Sequence, residues 1–246
     1  MTDRATTDRH IARQIKRLVT KFFALVIIGA VFAAFWSGAI PQRLSPFSPL
    51  DLSDNESWFL DFRLTSLRHD PALCAATLKA PILIANPISD QPYKDGCGWS
   101  NGVRMAAASG AKIPVNAMTC EMAAAFGMWV AHVVQPAAEN YFKTSVTGLL
   151  NMGGYSCRNI IGTKLWQDFR SQHATANALD IGAFTLADGR RISVKKDWQG
   201  NTTEAKFLRE IHRGACRYFR VVLGPDYNAA HQDHFHFDRG YLKSCR

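Results

Sequence analysis

His231-Gln232-Asp233-His234-Phe235-His236-Phe237-Asp238 alternates imidazole and carboxylate with phenyl. In an extended segment His234, His236 and Asp238 share one face, and Asp233, Phe235 and Phe237 share the other. A strand over His234–Asp238 would bury its two phenyl rings and present its imidazoles to a cleft. A second segment, Ser171-Gln172-His173-Ala174-Thr175-Ala176-Asn177-Ala178-Leu179-Asp180, complements the first. On a strand from Ala178 to Leu186, Ala178, Asp180 and Gly182 share a face, and His173 lies in the loop that enters it. A loop His, a strand Asp and a His from another strand can meet at one tetrahedral point. Two imidazoles and one carboxylate leave the fourth position to water, the pattern of a catalytic Zn²⁺ site. Such a site also needs a proton acceptor. Asp233 and His234 are the two candidates, and strand alternation favours His234 for the cleft side if the strand begins before it.

Around these segments the patterning predicts an α+β domain with a mainly antiparallel sheet and flanking helices. Short helices are expected at Glu56–Arg68 and at Pro71–Ala80, the second capped by Asp70. Residues 81–118 read as loop-rich, with short strands at Ile82–Ala85 and Val103–Met105. Thr119 caps a helix expected to run to Val134 and to end at Pro136, where a further helical turn can start. Strands are predicted at Ser145–Met152, Tyr155–Arg158, Ala178–Leu186 and Arg191–Val194, with a hairpin turn at Ala187–Arg190. A helix over Thr203–Tyr218 and a strand over Phe219–Leu223 complete the pattern.

The N-terminal region is of another kind. Phe22–Ile40 is 19 residues without a charge, about 28 Å as a helix and close to a bilayer's hydrocarbon thickness. Residues 1–21 form a basic tail, in which six Arg and Lys face two Asp. The positive-inside rule places that tail in the cytoplasm and everything after Ile40 outside. The alternative, a cleaved signal peptide ending near Ser37-Gly38-Ala39, requires an apolar region shorter than this one. Residues 41–57 are rich in Pro and Ser and read as a linker, leaving residues 58–246 as the domain. All six cysteines (Cys74, Cys97, Cys120, Cys157, Cys216, Cys245) follow the apolar segment. An even count in an exported domain points to disulfides, with pairing open among 15 connectivities. The formal net charge is +9, yet no element concentrates Arg and Lys with aromatics, so nucleic-acid binding is not indicated.

The Ser-x-His-(x6)-Asp motif followed by His-x-His resembles the LAS group of metallopeptidases, which includes D-Ala-D-Ala carboxypeptidases, D-Ala-D-Ala dipeptidases and murein endopeptidases. That resemblance implies zinc ligands at His173, Asp180 and His236 and a base at Asp233 or His234. A closer similarity spans nearly all of residues 56–246. Asp70-Pro71-Ala72-Leu73-Cys74, Gly96-Cys97-Gly98-Trp99, Tyr155-Ser156-Cys157-Arg158 and Leu223-Gly224-Pro225-Asp226-Tyr227-Asn228, with the two metal motifs, resemble the bacterial extensin-like C-terminal domain family. The chain departs from the D-Ala-D-Ala enzymes at Asn177, near which they carry Gly. It departs again at Arg158, which does not follow a Tyr directly. Arg158 is therefore either a substrate contact or a surface Arg beside a disulfide.

These resemblances imply a membrane-anchored periplasmic zinc peptidase acting on peptidoglycan peptides, held by one helix in a bacterial inner membrane. The competing reading is a wall-binding or scaffolding domain that keeps the fold without catalysis. A glycosidase would need paired carboxylates at recognisable positions, which are lacking.

Overall fold

The computed structural model describes every residue but Met1, Phe47, Lys79 and Thr163, and it falls into two units, Met1–Ser48 and Pro49–Arg246. In the first unit α1 spans Thr2–Trp36, and its stretch Ala12–Trp36 is long and apolar enough to cross a membrane. The expected span ran on to Ile40. The helix stops at Trp36, and Gly38 just beyond it adopts φ 72°, a left-handed backbone suited to a helix end. A short 3₁₀ turn, Gln42–Leu44, follows.

The second unit begins at Pro49, inside the stretch expected to be linker. Leu50 and Leu52 are buried in its core, and buried Ser57 accepts a hydrogen bond from Arg63, so this part of the stretch packs rather than spans. Phe47, in the expected linker, lies outside the described residues. α2 (Leu60–Ser66) and α3 (Pro71–Thr77) occupy the two predicted short helices. The Asp70 carboxylate caps α3 by accepting from the Leu73 amide at 2.8 Å. The expected continuation to Ala80 passes over Lys79, outside the described residues.

Residues 81–118 are more ordered than their prolines and glycines suggest. They form β1 (Leu83–Pro87), β2 (Gln91–Lys94), β3 (Cys97–Trp99), β4 (Gly102–Ala108) and most of β5 (Ala111–Thr119). Buried Ile113, Val115 and Ala117 alternate with Lys112, Pro114 and Asn116 along β5. Ser109 (φ 47°) and Gly110 (φ 81°) close a two-residue turn between β4 and β5, where both residues must be left-handed.

α4 (Cys120–Trp129) starts where Thr119 accepts from the Met122 amide, but Pro136 does not end the helical run. A wider π turn, Val130–Val134, comes first, in which the Gln135 amide reaches Val130 O. The extra residue in that turn makes room for the proline ring, and α5 (Gln135–Phe142) carries on. The chain then forms β6 (Val146–Gly153), β7 (Ala178–Leu186), β8 (Arg191–Ser193), α6 (Val194–Asp197), α7 (Thr203–Ala215), β9 (Val221–Leu223), β10 (Phe235–Asp238) and β11 (Ser244–Cys245). Tyr155–Arg158, expected as a strand, is irregular. The Cys157 disulfide anchors it beside a single bridge between Asn159 and Arg170.

The main sheet is mixed, in the order β1-β4-β5-β6-β7-β10-β9-β11 with β8 beside β7. Its pairs are antiparallel except β5 with β6 and β9 with β11. Trp129 centres the core, edge-on to Phe237 at 4.8 Å, with its indole N–H donating to Ile211 O at 2.9 Å. Leu179, Ile181, Phe235 and Phe237 pack into that core, which frees the opposite face of β7 and β10. The disulfides Cys74–Cys120, Cys97–Cys157 and Cys216–Cys245 brace the unit, each worth about 4 kcal/mol by the loop it closes.

Candidate metal centre

Antiparallel register sets the centre. Asp180 of β7 lies directly opposite His236 of β10, so the two side chains rise from the same sheet face. His173 comes to them from a 3₁₀ turn, Gln172–Thr175, that Ser171 caps. Asn177 locks this turn to its surroundings, accepting from the Thr119 hydroxyl at 2.8 Å and donating to Gln172. Thus the position at which the D-Ala-D-Ala pattern departs has a fastening role here.

His173 Nε2 lies 3.2 Å from Asp180 Oδ2 and 3.2 Å from His236 Nδ1, and His236 Nδ1 lies 2.9 Å from Asp180 Oδ1. Four ligands at 2.0–2.1 Å around a tetrahedral ion sit about 3.3 Å apart, so these atoms are spaced as zinc would space them. Both imidazoles are turned for the purpose. His173 donates from Nδ1 to Gly154 O at 2.5 Å, which leaves the Nε2 lone pair facing its partners. His236 donates from Nε2 to Asp238 Oδ2 at 3.1 Å, which presents Nδ1. Two imidazole nitrogens and a carboxylate oxygen suit a divalent first-row ion, and His173, Asp180 and His236 are all buried.

The electrostatics point the same way. Burial raises the Asp180 carboxyl, but in the metal-free centre hydrogen bonds from His173 and His236 in their protonated forms outweigh it and hold the group well below the usual carboxylate range. Burial also works to lower His236, yet Asp180 and Asp238 raise it to about 9. The cluster therefore attracts a cation, and without a metal a proton occupies that role. Asp238 is a residue that sequence reasoning placed on the right face without a task. Asp238→Asn is expected to weaken zinc binding about 10- to 100-fold in competition with a chelator, whereas unchanged affinity would assign Asp238 to packing alone.

The predicted bases are neighbours of each other. His234 Nδ1 donates to Asp233 Oδ1 at 2.9 Å, and His234 Nε2 sits 3.7 Å from Asp180 Oδ1. His231, given no role from sequence, joins them with its ring 5.3 Å from His234 and 5.7 Å from His236. Its Nδ1 donates to Asn228 Oδ1 at 2.7 Å, and burial followed by the two neighbouring imidazoles lowers its pKa to about 4. The His-x-x-His-x-His spacing was the available signal for it.

A cleft of about 360 Å³ opens over the cluster, with Asp180, His231, His234 and His236 at its floor. Ile160, Ile161, Trp166, Tyr241 and Leu242 make its walls largely apolar, and half-buried Arg158 lines it as well. Arg158 thus combines the two alternatives left by the sequence, a cleft residue that follows a disulfide. Ile160, Ile161, Trp166, Tyr241 and Leu242 lie in irregular stretches, which have no periodicity to read.

A family model described as Extensin-like protein C-terminus matches residues 72–246. No curated protein and no solved structure matches the chain.

Proposed function

The chain belongs to the extensin-like protein C-terminus family over a span that holds every residue of the centre and all six cysteines, and from that premise we propose that it is a zinc-dependent peptidase acting on peptidoglycan stem peptides. The observation behind this reading is the three-ligand cluster, two of whose members, Asp180 and His236, line the floor of a cleft. The motif order His–Asp followed by His-x-His, which resembles the LAS metallopeptidases, supports it. The apolar part of α1, the basic residues that precede it in the same helix and the disulfides support a periplasmic domain on an inner-membrane anchor with a cytoplasmic N-terminus.

A zinc ion held by His173, Asp180 and His236 would supply a Lewis acid for the scissile carbonyl and a more acidic water. His234 is placed to take a proton there. Asp233 accepts its Nδ1–H, so the Nε2 lone pair faces the cluster. The choice between the two bases becomes a division of labour, in which His234 moves the proton and Asp233 orients it. Arg158 offers a cation to a substrate carbonyl or carboxylate, and the apolar walls hold the peptide and exclude water.

Metal analysis and muropeptide digestion of the intact chain test the proposal. Wild type is expected to hold one zinc and cut. His234→Gln should keep the zinc and lose about 100-fold or more in kcat, a typical general-base contribution, and Asp233→Asn should lose less. One zinc with no cleavage of any wall peptide would favour a binding domain, and absence of metal would overturn the site.

A further inference from the structure

Trp58, Phe59 and Phe62 are each more than half exposed, although they open the domain's own fold. Their neighbours do the opposite: Ser57, Leu60, Arg63 and Leu64 are buried. The backbone turns between the two sets at Phe59, which adopts φ 55° and ψ 31°, a left-handed conformation uncommon for a bulky residue. Past that turn the chain runs from outward Trp58 to inward Leu60. The Trp58 indole N–H has no hydrogen-bond acceptor among the described residues. A large ring with a free polar N–H favours a boundary that is apolar on one side and wet on the other, which is the headgroup level of a bilayer.

The surface extends past α2. Asp61 accepts from Arg220 and Arg239 and lies 3.5 Å from Lys243 Nζ, and the Arg68 guanidinium sits 5.7 Å from the centre of the Tyr241 ring. These contacts set residues 241–243 beside α2, and Tyr241 and Leu242 are again more than half exposed. Asp61 is the only carboxylate of α2, and with Arg220, Arg239 and Lys243 around it α2 adds no unpaired acid to this surface. Single exposed apolar side chains are ordinary, but a group of them rimmed by paired charges marks an interaction surface.

The chain itself supplies the partner. Only twelve residues, 37–48, join Trp36, the end of the apolar helix, to Pro49, where the domain begins. A tether of that length holds what it joins at an effective concentration on the order of millimolar, so three rings too weak to hold a free domain suffice for a tethered one. We propose that Trp58, Phe59 and Phe62 dock the domain onto the surface of the bilayer that α1 crosses, with their rings at the headgroup level. This rests on the membrane-anchor reading above and goes beyond it. A helical anchor alone leaves a domain free to swing, whereas the aromatic patch fixes which face turns to the lipid.

The test is hydrogen exchange on the intact chain in two settings. One is a phosphatidylcholine nanodisc at one copy per disc. The other is an amphiphilic polymer that shields α1 without offering a bilayer surface. Amides of residues 57–63 are expected to exchange at least tenfold more slowly in the disc. The triple variant Trp58→Ser, Phe59→Gly, Phe62→Ser should lose that protection and keep its melting temperature, because all three side chains are exposed and Gly carries the left-handed backbone at 59 without strain. Phe62→Glu, a single change on the helix surface, is the second variant and should cut the ratio at least threefold. Equal exchange in disc and polymer, or protection that neither variant reduces, overturns the docking. So does slowing that appears in the polymer and grows with protein concentration, which would assign the face to a second copy. A chain that enters the discs unprotected refutes the docking alone, whereas one that stays out of them refutes the anchor and the docking with it.

Discussion

His236→Ala is expected to abolish stoichiometric zinc binding, weakening it by more than about 100-fold. Outer hydrogen-bond partners of a ligand are worth about 10- to 100-fold in affinity, and a ligand itself exceeds them. The pH dependence of the wild type follows from the same residue. In the metal-free protein His236 keeps its proton up to about 9, so zinc must displace that proton at any lower pH. Affinity should therefore fall as the pH falls, by about tenfold per unit below 9, and the proton release should appear in calorimetry as a buffer-dependent heat. In His236→Ala both the binding and the proton release should vanish. Stoichiometric zinc in that variant would move the centre elsewhere.

The largest stability loss is expected from Glu121→Ala. Glu121 and Arg239 are buried, and the carboxylate receives Arg239 Nε and Arg68 Nε at 2.7 Å each. Arg239 also donates to Tyr218 O and to Asp61, which ties α2, α4 and the end of β10 together. Exposed ion pairs are worth about 0–1 kcal/mol, but removing one partner of a buried pair strands the other charge and costs about 3–5 kcal/mol. In a unit of this size that is a drop in Tm of roughly 10 °C, measurable by calorimetry or urea titration. A loss below about 1 kcal/mol would show the pair to be replaceable. Asp61 adds an acid sensitivity to the same network. Burial raises its carboxyl, but hydrogen bonds from Arg220 and the charge of Arg239 lower it to about 2. Its contribution is present above the ordinary carboxylate pKa near 4 and is lost as the pH falls towards 2.

Much of the centre was legible because a period of two is a strong constraint. Once Phe235 and Phe237 are taken as core, His236 must face away from it, and the same holds for Asp180 between Leu179 and Ile181. Asp70 and Thr119 were legible as caps because a short polar side chain before a helix has one evident task. Of β4 only Val103–Met105 was legible and of β5 nothing, since their small alanines and Pro114 mask an alternation that only the Ser109-Gly110 turn brings into register. The helical run through Pro136 was misjudged for another reason. A π turn is a local adjustment that leaves no periodic trace. Disulfide pairing depends on neighbours 29 to 60 residues apart in sequence and cannot be read from spacing. The role of Asn177 likewise becomes visible only with Thr119 and Gln172 beside it.

Asp180 and His236 are facing residues on adjacent strands, and Gly154 holds the third ligand by its carbonyl. The spacing of the three donors thus follows from the backbone ladder and from the Gly154 carbonyl. Small zinc modules lose their fold with their metal, so for them maturation and metallation are one event. Under the zinc reading proposed above the two would come apart: a chain built this way would fold before its metal arrives, and would take the ion up and give it up without refolding.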